Sequence, residues 1–271
     1  SADANCQAPL PNVLAGVTAT DNCDASLTVT QSPAAGTLVG LGVHTLTVTA
    51  TDDAGNASTC TTTFTVNDTT PPSVACPAPA TASADANCQA PLPDVLAGVT
   101  ASDNCDASLT VTQSPGAGTL VGLGVHPITV TATDAAGNSA TCTTTFTVTD
   151  STPPSVACPA PTTASADANC QAPLPNVLAG VTASDNCDAS LTVTQSPAAG
   201  TLVGLGVHTL TVTATDAAGN SATCTTTFTV TDTNVPTVNC PTEARSATAD
   251  DNGQAAVPDY TSLFDQGRCG A

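Results

Sequence analysis

The chain has 271 residues, of which 22 are acidic and only two are basic, so its formal net charge at pH 7 is −20. Binding to nucleic acids and docking on anionic membranes both need Lys or Arg side chains against phosphates, and this composition excludes both classes of partner. The sequence contains no apolar run near the ~18 residues that a membrane helix needs, which argues against membrane insertion.

The chain consists of copies of one unit. The cysteines Cys6, Cys88 and Cys170 lie at the same place in successive copies and are 82 positions apart. A solenoid unit is only ~20–45 residues long and cannot fold alone, so this longer period indicates small autonomous domains in tandem. In chain order, we predict a repeat without its first strand (1–68), two complete repeats (69–150 and 151–232) and a partial, divergent repeat (233–271).

Within a complete repeat the apolar residues alternate with threonine. Ile128, Val130 and Ala132 fall on one face of a strand, and in the segment 142–148 Phe146 and Val148 alternate with threonines. This period of two, with a Thr-rich outer face, is typical of half-buried antiparallel strands, and turn signals such as DAAGN separate them. The sequence therefore predicts an all-β protein made of tandem β-sandwich modules of about 82 residues.

Two adjoining segments carry a resemblance to a known family. The segment 128–150, ITVTATDAAGNSATCTTTFTVTD, and the segment 150–159, DSTPPSVACP, resemble the hyalin repeat (HYR) domain. The resemblance implies an immunoglobulin-like sandwich, extracellular adhesion or structural spacing, and no catalytic activity. This chain departs from the family by its extra cysteines at positions such as Cys88 and Cys105 and by its low aromatic content.

The chain carries 13 cysteines but only four Phe, one Tyr and no Trp. A small domain with so few large core residues is expected to be stabilised by disulfides, which form in secreted or cell-surface proteins. In an immunoglobulin-like sandwich the first and last strands can lie side by side in parallel, which brings Cys76 to Cys142, while Cys88 and Cys105 meet at the other pole. The disulfides expected on this basis are Cys6–Cys23, Cys76–Cys142, Cys88–Cys105, Cys158–Cys224 and Cys170–Cys187.

Two alternatives for the cysteines stay open. Cys60 could bond to Cys76 across the Pro-Pro linker, although a strand and a linker should hold those sulfurs ~30 Å apart. A zinc site is disfavoured because the sequence has no Cys-x-x-Cys motif.

The two ends of the sequence are complementary. Cys60 lacks a Cys-Pro partner in its own repeat, and Cys240 lies in an opening-strand sequence, VPTVNCP, that lacks a closing strand. One molecule could therefore add a strand to the next, with an intermolecular Cys60–Cys240 disulfide and a head-to-tail fibre as the result. The simpler alternative is that the sequence is a window from a longer polypeptide of the same repeats.

The acidic residues gather at turns and before the linkers. Their oxygens would suit Ca²⁺, which binds six to eight oxygen ligands. The alternative is that they form Asx turns on a solubilising surface. The candidate calcium ligands are Asp103, Asp134 and Asp150 with their copies Asp185, Asp216 and Asp232.

These patterns favour a non-enzymatic extracellular structural protein that forms a stalk, fibre or filament for cell adhesion or spacing. Its partners would be further copies of itself or other cell-surface molecules. A chain rarely needs three near-identical active sites in a row, which argues against an enzyme. The alternative function is a ligand-binding adhesin for carbohydrate or a partner protein. The scarcity of aromatic side chains, with Tyr260 the only Tyr, favours the structural role.

Overall fold

The structure is a computed structural model that describes residues 1–235 and 246–256. The predicted all-β class is confirmed: the described residues form 21 strands, β1–β21, and three single-turn 3-10 helices. The chain divides into two compact units, Ser1–Thr149 and Asp150–Ala271. The first unit covers the predicted repeat 1–68 and residues 69–149 of the next predicted repeat, and the second unit includes the predicted repeat 151–232.

The complete repeat of the first unit has eight strands. They are β6 (Ser73–Ala75), β7 (Ala80–Ser83), β8 (Ala90–Pro91), β9 (Thr100–Ser102), β10 (Thr110–Ser114), β11 (Leu120–Val121), β12 (Gly124–Thr133) and β13 (Ser139–Thr149). Four of them form a sheet in the order β10-β12-β13-β7, and the pairs β6–β9 and β8–β11 form short antiparallel ladders. Strand β7, which follows β6 directly, runs parallel to the last strand, β13, so the opening and closing segments of the repeat lie side by side.

The first repeat has the same arrangement without its opening strands. Its strands are β1 (Ala8–Pro9), β2 (Thr28–Ser32), β3 (Leu38–Val39), β4 (Gly42–Thr51) and β5 (Ala57–Val66). The main sheet is three-stranded, in the order β2-β4-β5, and β1 pairs with β3. The described part of this repeat has no counterparts of β6, β7 and β9.

The second unit repeats the eight-strand pattern. Its strands are β14 (Ser155–Ala157), β15 (Thr162–Ser165), β16 (Ala172–Pro173), β17 (Thr182–Ser184), β18 (Thr192–Ser196), β19 (Leu202–Val203), β20 (Gly206–Thr215) and β21 (Ser221–Thr231). The main sheet has the order β15-β21-β20-β18, with β14–β17 and β16–β19 as the short ladders.

The core of each complete repeat lies under its main sheet. Ile128 and Val130 on β12 are fully buried, and Phe146 and Val148 on β13 are nearly so, while the threonines between them lie further out. The alternation read from the sequence therefore assigns the inner and outer faces correctly. Each core has a single Phe and otherwise only Leu, Ile, Val and Ala. Hydrophobic burial in such a small domain therefore needs support from other interactions.

A partly buried glutamine on the edge strand of the main sheet holds the loops of each module. Gln113 Oε1 accepts a hydrogen bond from the N–H of Val95 at 3.0 Å, and its Nε2 donates to the carbonyls of Pro93 and Pro115 at 2.9 and 3.2 Å. Val95 directly precedes the 3-10 helix Leu96–Gly98. One amide thus satisfies three backbone groups of loops that no strand ladder reaches.

Candidate functional site

The first candidate feature is a disulfide inside each complete repeat. Cys76, just after β6, is bonded to Cys142 on β13, and Cys158 is bonded to Cys224 in the same way, with Cα–Cα distances of 5.7 Å. These are the pairings expected from the parallel neighbourhood of first and last strands. Each bond connects the short β6–β9 ladder, or its copy, to the main sheet, so it closes the sandwich over the core.

A second disulfide joins two successive repeats. Cys6 of the first repeat is bonded to Cys105 of the second, across a sequence separation of 99 residues. The expected Cys6–Cys23 and Cys88–Cys105 pairings are therefore wrong, and Cys23 is a free, exposed thiol. Cys88 is itself disulfide-bonded.

Local hydrogen bonds show why Cys6 reaches the next repeat. The Asp3 carboxylate accepts hydrogen bonds from the N–H groups of Asn5 and Gln7 at 2.8 and 3.0 Å, which forms a tight turn with Cys6 at a φ of 61°. Asn104, beside Cys105, donates its side-chain amide to the carbonyl of Asp3 at 3.1 Å. The turn that contains Cys6 is thus held against the loop of the next repeat that contains Cys105. Cys6 therefore bonds to Cys105 and leaves Cys23 free.

Of the remaining predicted cysteine pairings, one is wrong and the others stay predictions. Cys60 is free and exposed, and Cys76 is bonded elsewhere, so the alternative Cys60–Cys76 bond is wrong. Cys170 and Cys187 are each disulfide-bonded. Their mutual pairing stays a prediction, one weakened by the first two copies, where the equivalent cysteines do not pair. Cys240 lies outside the described residues.

A second candidate feature is a cluster of four carboxylates in the first unit. Asp68, Asp103, Asp106 and Asp134 each place a carboxylate oxygen within 4.8 Å of the others. Asp68 and Asp134 are both only 7% exposed. Asp68 follows the last strand of the first repeat, whereas the other three belong to loops of the second, so residues of both repeats meet here.

Hydrogen bonds fix two of these carboxylates in the loops. Oδ1 of Asp103 accepts from the N–H groups of Cys105 and Asp106 at 2.7 and 3.1 Å. Oδ2 of Asp106 accepts from the N–H of Ala135 at 3.0 Å. The carboxylates are therefore held in place by the backbone.

Asp134 is held by the turn that it begins. Its oxygens accept from the N–H and the side-chain amide of Asn138 at 2.7 and 2.8 Å. Burial works to raise the pKa of Asp134, but the hydrogen bonds from Asn138, followed by those from the backbone of Gly137 and Ala136, outweigh it and lower that pKa. The carboxylate is consequently ionised at neutral pH.

The second unit contains a copy of this cluster. Asp150, Asp185, Asp188 and Asp216 bring carboxylate oxygens within the same 4.8 Å. Sequence analysis expected Asp103 and Asp134 to share a site with Asp150. That grouping is wrong, because the residue that joins them is Asp68, which precedes their repeat rather than ending it. Asp232 belongs to none of the acidic groups among the described residues.

Sequence analysis missed Asp68, Asp106 and Asp188. The sequence DNCD, which occurs at residues 103–106 and 185–188, did contain a signal for two of them, because Asp106 and Asp188 lie three residues after Asp103 and Asp185. In the first repeat the equivalent residues are Asp21, Asp24 and Asp52. They have no counterpart of Asp68 within the sequence, and no group of four carboxylates forms among the described residues there.

A third candidate feature is an open groove of about 350 Å³ in the first repeat, lined by Ala19, Ala50 and Cys60 among others. In the second repeat, β6 covers the equivalent face by pairing with β9. Here residues 18–20 form no strand, and Thr62 is exposed where its copy Thr144 is buried. The groove is therefore the place that an opening strand would fill.

Comparisons with known proteins agree on one family. The model of the HYR domain matches residues 13–67, 67–149 and 149–231. Hyalin from Lytechinus variegatus is 33% identical over 233 residues, which is 82% of this chain and 43% of that protein. Hyalin from Strongylocentrotus purpuratus is 30% identical over 230 residues, or 82% of this chain and 19% of that protein. The chain thus spans less than half the length of these relatives.

The matches to solved structures are weaker, with sequence identities below 20%. A protocadherin gammaB7 EC3-6 structure matches 87% of this chain and 73% of its own, with 17% identity and a TM-score of 0.36. The immunoglobulin domains 1-4 of Sidekick-1 match 84% of this chain and 72% of theirs, with 14% identity and a TM-score of 0.34. Over the described residues, no helix has the length and apolarity to cross a bilayer.

Proposed function

The chain belongs to the HYR domain family, as its resemblance predicted, and we propose that its tandem modules form a stalk, fibre or filament that spaces or attaches cells. The hyalin relatives and the disulfides identify an extracellular, adhesion-type protein that is secreted or held at the cell surface. The same relatives point to a non-enzymatic role. The structural role in a stalk or fibre goes beyond these comparisons and rests on the following observations.

The Cys6–Cys105 disulfide carries this proposal. Its sequence separation of 99 residues exceeds the 82-residue period of the chain, so the bond links one module to the next in addition to the peptide linker. A string of modules joined only by peptide linkers would bend at each linker, as ordinary domain pairs do. A second covalent connection removes much of that freedom and suits a protein that bears tension.

Single-molecule pulling on the whole chain under oxidising conditions tests this role. We compare the native chain with the double variant Cys6→Ala and Cys105→Ala, and use Cys23→Ala as a control because Cys23 is free. Removal of the link should lengthen the maximum extension by on the order of 100 Å, since tens of residues of ~3.5 Å each are released. An unchanged extension would show that the bond does not bear force and would contradict the proposal.

The open groove supports head-to-tail self-association of the same modules. Cys60 occupies the position at which Cys142 bonds to Cys76, and it is exposed and free. The sequence PTVNCP, residues 236–241, has the pattern of PSVACP, residues 72–77, which holds that place in the second repeat. We propose that this segment of another copy fills the groove and that Cys240 bonds to Cys60. An adjoining repeat of a longer polypeptide would fit the same groove.

Non-reducing gel electrophoresis of the oxidised chain separates these two cases. The proposal predicts a ladder of covalent oligomers that collapses to one band on reduction. The variants Cys60→Ala and Cys240→Ala should each abolish the ladder, whereas Cys23→Ala should leave it intact. A native chain that stays monomeric with free thiols refutes head-to-tail assembly, and so does a ladder that only Cys23→Ala abolishes.

A further inference from the structure

One loop of the second repeat holds a turn of the first. The loop has the sequence DNCD, residues 103–106, and the turn has the sequence ADANC, residues 2–6. Cys105 is disulfide-bonded to Cys6, and the side-chain amide of Asn104 donates to the carbonyl of Asp3 at 3.1 Å. The neighbouring Asn and Cys at the centre of the loop thus supply one directed hydrogen bond and one covalent bond to the turn.

The first repeat contains the same loop in the same conformation. Its sequence is again DNCD, at residues 21–24. The carboxylate of Asp21 accepts hydrogen bonds from the N–H groups of Cys23 and Asp24 at 2.8 and 3.0 Å. Asp103 accepts the two equivalent bonds at 2.7 and 3.1 Å in the loop that holds the turn. The backbone of residues 21–24 therefore has the form that binds a turn in the second repeat.

The state of the thiol distinguishes the first repeat from the others. Cys23 is free and exposed. Cys105 and Cys187, at the same place in the next two repeats, are both disulfide-bonded and half-buried. A loop in the binding conformation with an exposed thiol can accept a further turn of the same kind.

We propose that residues 21–24 bind a turn of sequence Asp-Ala-Asn-Cys from a separate HYR-type module, and that the cysteine of that turn forms a disulfide with Cys23. Asn22 donates its amide to the carbonyl of the incoming Asp, as Asn104 does to Asp3. A module bound in this way is linked to the first repeat as the first repeat is linked to the second.

The turns of a second copy of this chain do not fit the role. Its three turns of this sequence contain Cys6, Cys88 and Cys170, with φ angles of 60–62°, and all three cysteines are already disulfide-bonded. The equivalent turn of the partial repeat has Gly253 at a φ of 74° in the cysteine position, so it has no sulfur to bond. The partner is therefore a further module whose turn cysteine is still available.

The disulfide forms by thiol–disulfide exchange. The Cys23 thiolate attacks the turn sulfur of a mixed disulfide between the turn and glutathione. The new S–S bond forms as the old one breaks, and glutathione leaves as a thiolate that takes up the proton released by Cys23. The exchange is redox-neutral and needs no other oxidant. It involves a different thiol and a different loop from the Cys60 groove, so the proposal does not depend on head-to-tail assembly.

The test uses the whole chain and a peptide of residues 1–10, SADANCQAPL, as its mixed disulfide with glutathione. Peptide mapping by mass spectrometry measures the equilibrium constant for exchange at Cys23 and at Cys60, the second free and exposed thiol. We expect the constant at Cys23 to exceed that at Cys60 by about tenfold, as one or two net hydrogen bonds give.

Two changes should remove this preference. The peptide with Asp3→Ala cannot accept the hydrogen bonds from Asn5 and Gln7 that form the turn, and it should react equally at both thiols without any change to the protein. Asn22→Ala in the chain should lower the constant at Cys23 about fivefold. Asn12→Asp is the matched control and should change nothing, because the second repeat has Asp94 there with the same hydrogen bond to the following backbone.

Three results would overturn the proposal. The first is a native peptide that shows no preference for Cys23 over Cys60. The second is a preference that the Asp3→Ala peptide retains in full, because the turn would then play no part in binding. The third is a native chain that forms disulfide-linked oligomers with itself that Cys23→Ala abolishes, because the partner would then be a second copy.

Discussion

Removal of the Cys76–Cys142 disulfide is the most direct test of how these modules are stabilised. The bond closes a loop of 66 residues, and loop-closure entropy for that length gives about 4 kcal/mol at 25 °C. The total stability of a small domain is ~5–15 kcal/mol, so this one bond is a large share. The double variant Cys76→Ala and Cys142→Ala should therefore destabilise the second repeat severely without leaving an unpaired thiol behind.

Hydrogen exchange measured by mass spectrometry provides the assay, and the third repeat is its internal reference. Peptides of β12 contain Pro127 and Ile128, whereas those of β20 contain Thr209 and Leu210, so their masses separate the two copies. A loss of about 4 kcal/mol should accelerate exchange in β12 about a thousandfold while β20 stays unchanged. Exchange in β12 within about tenfold of that in β20 would refute the loop-closure argument.

Three further predictions concern single side chains. A Cβ at Gly98 would lie 2.9 Å from the Cβ of Pro77, so Gly98→Ala should cost about 1–3 kcal/mol, whereas Gly16→Ala in the first repeat meets open space and should be tolerated; urea unfolding compares them. Gln113→Leu leaves three backbone groups without their hydrogen-bond partner and should cost about 1–3 kcal/mol, and Gln113→Glu should also destabilise in the same assay, because its carboxylate keeps the acceptor for Val95 but cannot donate to the carbonyls of Pro93 and Pro115. Because the pKa of Asp134 is lowered on folding, its contribution is present above the unfolded pKa of about 3.8 and is lost as the pH falls through the folded value. The free energy of unfolding, measured from about pH 5 to about pH 2, should decrease as the pH falls, and this decrease should be smaller in Asp134→Asn.

The strands were predictable because their signal is local. The spacing of Ile128 and Val130 identifies the inner face of β12 without knowledge of any other element, and the structure buries both. The Cys76–Cys142 pairing could be anticipated because it depends only on the parallel neighbourhood of the first and last strands of one sandwich. The role of Gln113 was missed, since a lone polar residue on a strand does not reveal that loops from both sides converge on it.

The features between repeats could not be predicted in the same way. Sequence analysis sought partners for Cys6 and for Asp103 within the repeat, but both partners, Cys105 and Asp68, lie in the neighbouring one. Whether the turn around Cys6 meets the loop around Cys105 depends on the geometry of a linker, which carries no periodic pattern. An 82-residue repeat also makes every copy look alike, so spacing alone cannot tell a contact within a module from one between modules.

The Cys6–Cys105 bond has a consequence for the order of biogenesis. Because its two sulfurs belong to consecutive repeats, oxidation of one repeat stays incomplete until the next has been exported and has folded. In a chain that emerges N-terminus first, Cys6 therefore stays a thiol until Cys105 has emerged, and Cys187, the copy of Cys105, follows 82 residues later as a competing partner. Correct pairing then requires that Cys6 bonds to Cys105 before the following repeat emerges. The rate of secretion and the access of an oxidase would therefore influence which cysteines pair.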